Sequence, residues 1–311
     1  MSRQSFFVKV GRIYQALSPA WSRMDALFNS NSAESHEYPV VCILAPPRSG
    51  STLLYQILTT GIGNQHLTNI WNLLYATPIV GGRISRKLTA EYYSDFKSSL
   101  GFVSGFAGEA EGMAFWEYWA GQGMIESQAK HNGERLAQLH EKLKHVLRED
   151  EAFICGFLGH VFCIDLLREN FPDIKFVYLR RNLVENALSL YKASPDKFIS
   201  SRPADIDFEQ LSRKQQIVEQ LLQVHRLIVK GTAGCDVMRI SYDQLCESPR
   251  HVINQILTDW DLTERSISKV PEYFEKRAAD TNSPIANEFR KLFTERIGSD
   301  VHAQELTKGL V

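Results

Sequence analysis

Short apolar runs alternate with longer stretches of helical period along most of this chain. Val40–Leu44, Ala152–Phe157, Ile174–Leu179 and Asp236–Ile240 are compact runs rich in β-branched and aromatic residues. All four predict strands, and Val40–Leu44, which has no polar residue, predicts one buried on both faces. Between them, apolar residues recur at helical spacing over residues 53–58, 134–148, 161–170, 183–192, 205–230 and 244–260. Leu88–Leu100 also reads as helix. Residues 64–86 are mixed, with Gly81-Gly82 as a flexible break, and Gly61 and Gly63 close the helix before them. Strands alternating with helices predict an α/β fold, a three-layer α/β/α sandwich around a central parallel sheet. Ligands then bind at the carboxyl ends of its strands.

Two segments depart from that rhythm. In residues 1–38, Phe6, Phe7, Val10, Ile13, Tyr14, Leu17 and Trp21 fall at roughly helical spacing. They predict a helical extension packed on the domain, with residues 39–311 forming one domain and 62–150 an insertion within it. Residues 101–119 mix glycines (Gly101, Gly105, Gly108, Gly112) with aromatics (Phe102, Phe106, Phe115, Trp116, Tyr118, Trp119) and three acids, Glu109, Glu111 and Glu117. That composition suits a pocket-lining loop more than a regular element.

The chemistry begins where the first strand ends. Pro39–Leu44 runs into Ala45-Pro46-Pro47-Arg48-Ser49-Gly50-Ser51-Thr52-Leu53-Leu54. A strand, a tight turn and a helix start in that order form an anion site. The first helical N–H groups lack intrahelical acceptors, and the helix dipole favours negative charge. The common nucleotide loop, G-x-x-x-x-G-K-[ST], is not matched. Ser51 stands where its lysine would be, Ala45 replaces its first glycine, and the cation sits earlier, at Arg48. That departure argues against an ordinary kinase or ATPase.

Bulk properties narrow the classes further. The 311 residues suffice for one large α/β domain or two modest ones, and the net charge of −1 supplies no global field toward nucleic acid. Five cysteines without a C-x-x-C pair predict reduced, mostly buried thiols and a cytoplasmic protein. No apolar run of the length that spans a bilayer is present, so no transmembrane segment is expected.

A second anion site is expected at the end of the 174–179 strand. Arg181 lies there, and Ser189 follows eight residues later, about two helical turns in. The two converge on one anion if it lies beside the helix. Two separated anion sites suggest a nucleotide with phosphates at two places.

Taken together, "PRSGSTLL" (47–54) and "FVYLRRNLVENALSLY" (176–191) resemble the sulfotransferases that use 3′-phosphoadenosine 5′-phosphosulfate (PAPS). The first motif of that family, P-[KR]-[ST]-G-[ST]-[ST], corresponds to Pro47–Thr52. Its arginine and serine on the 3′-phosphate correspond to Arg181 and Ser189. "FPDIKFVYLRRN" (171–182) and "MRISYDQLCESP" (238–249) are similar to further family stretches. The resemblance covers roughly residues 38–60 and 152–260. It implies the P-loop-like sulfotransferase fold, PAPS as co-substrate, no metal, and transfer of a sulfuryl group to a small-molecule or glycan hydroxyl.

Departures from the family pattern are clear. Leu53 replaces a tryptophan that stacks on adenine in many members. No C-terminal G-x-x-G-x-x-K loop is present, which leaves Arg290 and Lys291 as candidates for 3′-phosphate contacts. Of a K-x-P-x-H pattern frequent in bacterial members, His160 alone remains.

The implied roles follow. Arg48 stabilises charge on the departing phosphate oxygen. The amides of Ser49, Gly50 and Ser51, with the Thr52 hydroxyl, hold the 5′-phosphate. A base must take the acceptor proton. His160, Glu109 and Glu111 are candidates. Apolar surroundings raise the pKa of either acid, and Glu111 is favoured because Phe115 falls four residues later if a helix starts there; Glu117 is assigned a structural role. Trp71, Tyr75, Trp116, Tyr118 and Trp119 are candidates for an acceptor platform, which favours carbohydrate. The competing readings are a P-loop kinase or NTPase, and a nucleotide-binding module without activity.

Overall fold

A computed structural model describes residues 25, 36–99, 101–121, 130–193, 206–277 and 279–298. The expected N-terminal helical extension lies almost entirely outside the described residues. Its one described position before residue 36, Asp25, is fully buried and accepts hydrogen bonds from the amides of Ile79 and Val80, both at 3.1 Å.

Five strands form one sheet, parallel throughout: β1 Val40–Leu44, β2 Asn64–His66, β3 Ala152–Cys155, β4 Ile174–Arg180 and β5 Val237–Ser241. Their order is β2-β3-β1-β4-β5. The chain leaves β1 toward β2 on one side and leaves β4 toward β5 on the other. The crevice between the carboxyl ends of β1 and β4 is therefore the topological switch point.

Every residue of β1 is buried, and alternate residues feed opposite cores. Val40, Cys42 and Leu44 pack with Trp71, Trp116, Phe153 and Phe176 on one face, beneath α2 (Asn69–Leu73), α4 (Met113–Trp119), α5 (Gly133–Leu143) and α6 (Ile164–Asn170). Val41 and Ile43 pack with Leu54, Ile57, Ile154 and Val177 on the other, beneath α1 (Ser51–Gly61), α9 (Tyr242–Glu247) and α10 (Pro249–Trp260). A third cluster joins α7 (Leu183–Ala193), α8 (Arg213–Gly231) and α11 (Pro284–Gly298). The five cysteines are free thiols. No helix among the described residues is long and apolar enough to cross a membrane.

Three local expectations are corrected. The Gly81-Gly82 break lies inside helix α3 (Pro78–Thr89). A Cβ at Gly81 would stand 2.5 Å from Trp71 Cδ1, and one at Gly82 would stand 2.4 Å from Val146 Cγ1. The pair is there for close approach, not for flexibility. The helix expected over 88–100 ends at Thr89, and residues 92–98 are irregular. There the Ser94 hydroxyl accepts from the Phe96 amide and the Asp95 carboxylate from the Lys97 amide, at 3.2 and 2.9 Å. Such local bonds compete with helical ones. The 101–119 loop becomes helix α4 at Met113, after Gly112 adopts φ 77.

Helix propensity favours Gly81→Ala and Gly82→Ala by roughly 1 kcal/mol each. Overpacking against Trp71 and Val146 costs about 1–3 kcal/mol. Both variants are expected to lower the denaturation midpoint; a rise in either would contradict the packing described.

Candidate anion-binding and active site

Three strand ends build the site. After β1, the backbone turns through Pro46 and Pro47, and both the amide and the hydroxyl of Ser49 close the turn on the Pro46 carbonyl, at 3.3 and 2.7 Å. Arg48 takes φ 65 and Gly50 takes φ 101, left-handed conformations that a non-glycine residue adopts at a cost. Gly50 is required twice over, because a Cβ there would meet the Tyr242 ring at 2.7 Å. Helix α1 then starts at Ser51, and its first N–H groups point away from the sheet edge without intrahelical acceptors.

The ends of β4 and β5 supply the opposite wall. Arg181 directly follows β4 and is nearly buried. Its guanidinium donates to the Arg48 carbonyl at 3.4 Å, to the Arg277 carbonyl at 2.8 Å and to the Glu185 carboxylate at 3.1 Å. It also lies 4.4 Å from the centroid of the Tyr242 ring, at the start of α9. Asn182 caps α7 by accepting from the amides of Val184 and Glu185.

Positive charge is therefore concentrated. Burial lowers the Arg48 pKa, repulsion from Arg277 and Arg181 adds to that, and Glu111 opposes it. Arg48 Nε is buried with no hydrogen-bond partner. Arg277 was absent from the candidates drawn from the sequence. It belongs to no motif and sits in an irregular segment, so nothing in the sequence pointed to it.

Ser189 is half-buried on α7, eight residues from Arg181, with Glu185 midway between them. Residues four apart share a helix face, so Glu185 stands between the two expected phosphate ligands. Arg290 and Lys291 lie on α11. Arg290 bonds to Thr281 and Asn287, and Lys291 faces Glu295 at 3.8 Å. Their partners thus lie on or beside α11, whereas the Arg277 carbonyl accepts from Arg181 and its charge acts on Arg48.

The candidate bases separate cleanly. Glu109 is buried, and its carboxylate accepts from Thr59 at 3.3 Å and Tyr92 at 3.0 Å. Both partners fix it in place. Glu111 lines a narrow recess with Ile43, Ala45, Ser51, Thr52, Tyr55, Gly156, Phe157 and Leu158. Burial pushes its carboxyl up to about 7, against the lowering influence of Arg48. Glu117 is exposed.

His160 does not face this edge, contrary to expectation. It is fully buried, edge-on to Trp116 at 4.5 Å between ring centroids, with Nδ1 3.4 Å from Cys42 Sγ. Burial lowers its pKa to about 3, which makes it a weak proton acceptor, and the ring lies inside the core and does not line the recess that holds Glu111. Its position in the core speaks against its reading as the base. Cys42, Cys155 and His160 offer ligand atoms within 4.8 Å of one another. The Phe157 amide donates to His160 Nδ1 at 3.4 Å, and His160 Nε2 is buried without a partner.

The aromatic platform is likewise corrected. Trp71, Trp116, Trp119 and Tyr75 are all buried in the core, the Trp119 indole donates to the Tyr75 carbonyl, and the half-buried Tyr118 packs against Tyr75 and Trp119 with the Arg135 guanidinium over its ring.

Comparisons with known proteins agree with this geometry. The sulfotransferase family description matches residues 39–265, well over half of the chain. This chain belongs to the sulfotransferase family. The sulfotransferase STF9 of Mycobacterium avium superposes with a TM-score of 0.55 at 14% identity, covering 91% of this chain and 81% of that one. STF1 of Mycobacterium tuberculosis gives 0.56 at 12% identity, covering 93% and 84%. At such identities the likeness establishes the shared fold. No protein of curated function matches the sequence significantly.

The Glu111 shift has a sign that is open to measurement. The folded state holds this proton up to about 7, whereas the unfolded chain releases it near the ordinary glutamate value of 4.5. Folding is therefore favoured below that window, and its contribution falls as pH rises through it. Glu111→Gln is expected to raise stability above pH 7 by roughly 1–3 kcal/mol, with little effect at pH 4. Chemical denaturation at both pH values checks this; an equal change at both contradicts a raised Glu111 pKa.

Proposed function

We propose that this sulfotransferase moves the sulfuryl group of PAPS to an acceptor hydroxyl, with Arg48 stabilising the leaving phosphate and Glu111 receiving the acceptor proton. The observation that carries the reading is the placement of Arg48. Its buried Nε lacks a protein partner, the N-terminus of α1 opens beside it, and Glu111 acts on it electrostatically from the recess. An anionic group fits there because Arg48 Nε has no hydrogen-bond partner and the first amides of a helix have no intrahelical acceptors.

PAPS supplies a sulfuryl group linked to the 5′-phosphate of a nucleotide that also carries a 3′-phosphate. The amides opening α1 and the Thr52 hydroxyl hold the 5′-phosphate. Ser49 serves mainly to shape the turn, since its amide and hydroxyl are engaged by Pro46. Arg181, Ser189 and Arg277 meet the 3′-phosphate. The acceptor oxygen forms its bond to sulfur as the bond from sulfur to the phosphate oxygen breaks. The acceptor proton passes to Glu111, and the negative charge left on phosphate is met by Arg48. A carboxyl with a pKa of about 7 is well matched to taking a proton near neutral pH. The carbohydrate reading of the acceptor rested on a ring platform that the core consumes, and the acceptor is taken up below.

Two tests follow. 3′,5′-Adenosine bisphosphate is expected to raise the melting temperature without Mg²⁺; stabilisation restricted to Mg-ATP contradicts the proposal in favour of an NTPase. Arg48→Ala is expected to lower kcat by about 10²–10³-fold with the fold intact. The wild-type rate is expected to rise with pH through about 7 as Glu111 loses its proton, whereas Glu111→Gln loses both rate and that rise. An unchanged pH profile in Glu111→Gln would remove Glu111 from the mechanism.

A further inference from the structure

The acceptor side of the site is apolar where a sugar site is polar. The recess holding Glu111 is walled by Ile43, Ala45, Tyr55, Phe157 and Leu158. Its polar side chains are Ser51, Thr52 and Glu111 itself. The proposed function commits Thr52 to the donor and Glu111 to the reacting proton. A sugar buried there would leave several hydroxyls without partners, each costing free energy.

The surface beside the recess continues the same chemistry. Gly101, at φ 92, brings the chain over its mouth: a Cβ there would stand 3.6 Å from Thr52 Oγ1 and 3.7 Å from Glu111 Oε1. The next residue, Phe102, is 77% exposed. On the same segment, Phe106 is 54% exposed and Met113, two residues beyond Glu111, is 46% exposed. These three are among the few large exposed hydrophobics of the described residues, and they flank the proposed base in sequence. Isolated exposed hydrophobics need no explanation, but three on one segment, with Phe102 next to the residue that stands over Thr52 and Glu111 and Met113 two residues beyond Glu111, form a candidate binding surface. The backbone beneath is held in place. The Asn69 side chain donates to the carbonyls of Val103 and Gly105, and Phe106 and Gly108 accept from the amides of Ile70 and Asn69. The apolar side chains are thus displayed from a tied segment.

We infer that the acceptor is a lipophilic alcohol, a hydroxyl carried on a hydrocarbon body, whose hydroxyl enters the recess at Glu111 while its hydrocarbon lies on Phe102, Phe106 and Met113. This deepens the proposed function and rests on it.

The test is direct binding of n-alkanols of increasing chain length, by calorimetry, to protein loaded with 3′,5′-adenosine bisphosphate. Binding does not need turnover, and nucleotide binding is read separately in the same samples, so failure of the donor reading is distinguishable from failure of this one. Affinity is expected to rise about threefold to fourfold per methylene while the chain remains on the protein. The double variant Phe102→Ser/Phe106→Ser is expected to lose at least tenfold in octanol affinity with nucleotide affinity unchanged. Both positions are exposed, so the fold tolerates the change. Alkanol affinity independent of chain length, undiminished octanol binding in the double variant, or tighter binding of a disaccharide than of octanol would each overturn the inference.

Discussion

One hydrogen bond fixes the geometry on which the site depends. Arg181, at the end of β4, donates to the carbonyl of Arg48, in the turn after β1. The parallel pairing of β1 with β4 brings these two strand ends side by side, and the bond sets the distance between them. Tyr242, from the end of β5, packs against Gly50 and beneath the Arg181 guanidinium, which adds the third strand to the same point. The left-handed backbone at Arg48 and Gly50 is tolerated because these contacts over-determine it. A turn released from them would relax and lose its aim.

Burial then decides what each charged group can do. Arg48, Arg181 and Arg277 repel one another in a poorly solvated crevice, and within the crevice Glu185 pairs with Arg181. A nucleotide phosphate beside Arg181 must compete with that carboxylate, so Glu185 sets part of the cost of binding. Two carboxylates on one loop show the same logic. Burial raises both carboxyls, but hydroxyl donors oppose it at Glu109 and fix that side chain, whereas Glu111 sits in an apolar recess with the charge of Arg48 to oppose it, and holds its proton to about 7. Their roles are separated by surroundings and not by residue type.

The fold was largely legible because its signals are local. β1 and β3 are continuous buried apolar runs, β4 and β5 keep enough apolar residues to read as strands, and the phosphate turn announces itself by residue order. β2 was missed because Asn64-Gln65-His66 carries no apolar signal; its position comes from pairing with β3. The glycines of α3 read as a break because their cause, the Trp71 and Val146 side chains, lies elsewhere in the chain. In the site, Arg48, Thr52, Arg181 and Glu111 were visible in motif and composition. Arg277 was not, because a lone arginine in an irregular segment gains meaning from the strand ends it meets. His160 and the tryptophans failed for one shared reason: they fill the core around Cys42 and Phe153, and sequence does not say which side of a sheet a residue takes.

The central claim is that one crevice between β1 and β4 receives both phosphates of the nucleotide. A crystal structure with 3′,5′-adenosine bisphosphate tests it most directly. The account predicts the 5′-phosphate on the first amides of α1 beside Arg48, and the 3′-phosphate on Arg181 and Arg277 with the Glu185 carboxylate displaced. A nucleotide bound away from the α1 N-terminus, or one that leaves the Arg181–Glu185 pair untouched with no phosphate near either arginine, would contradict it.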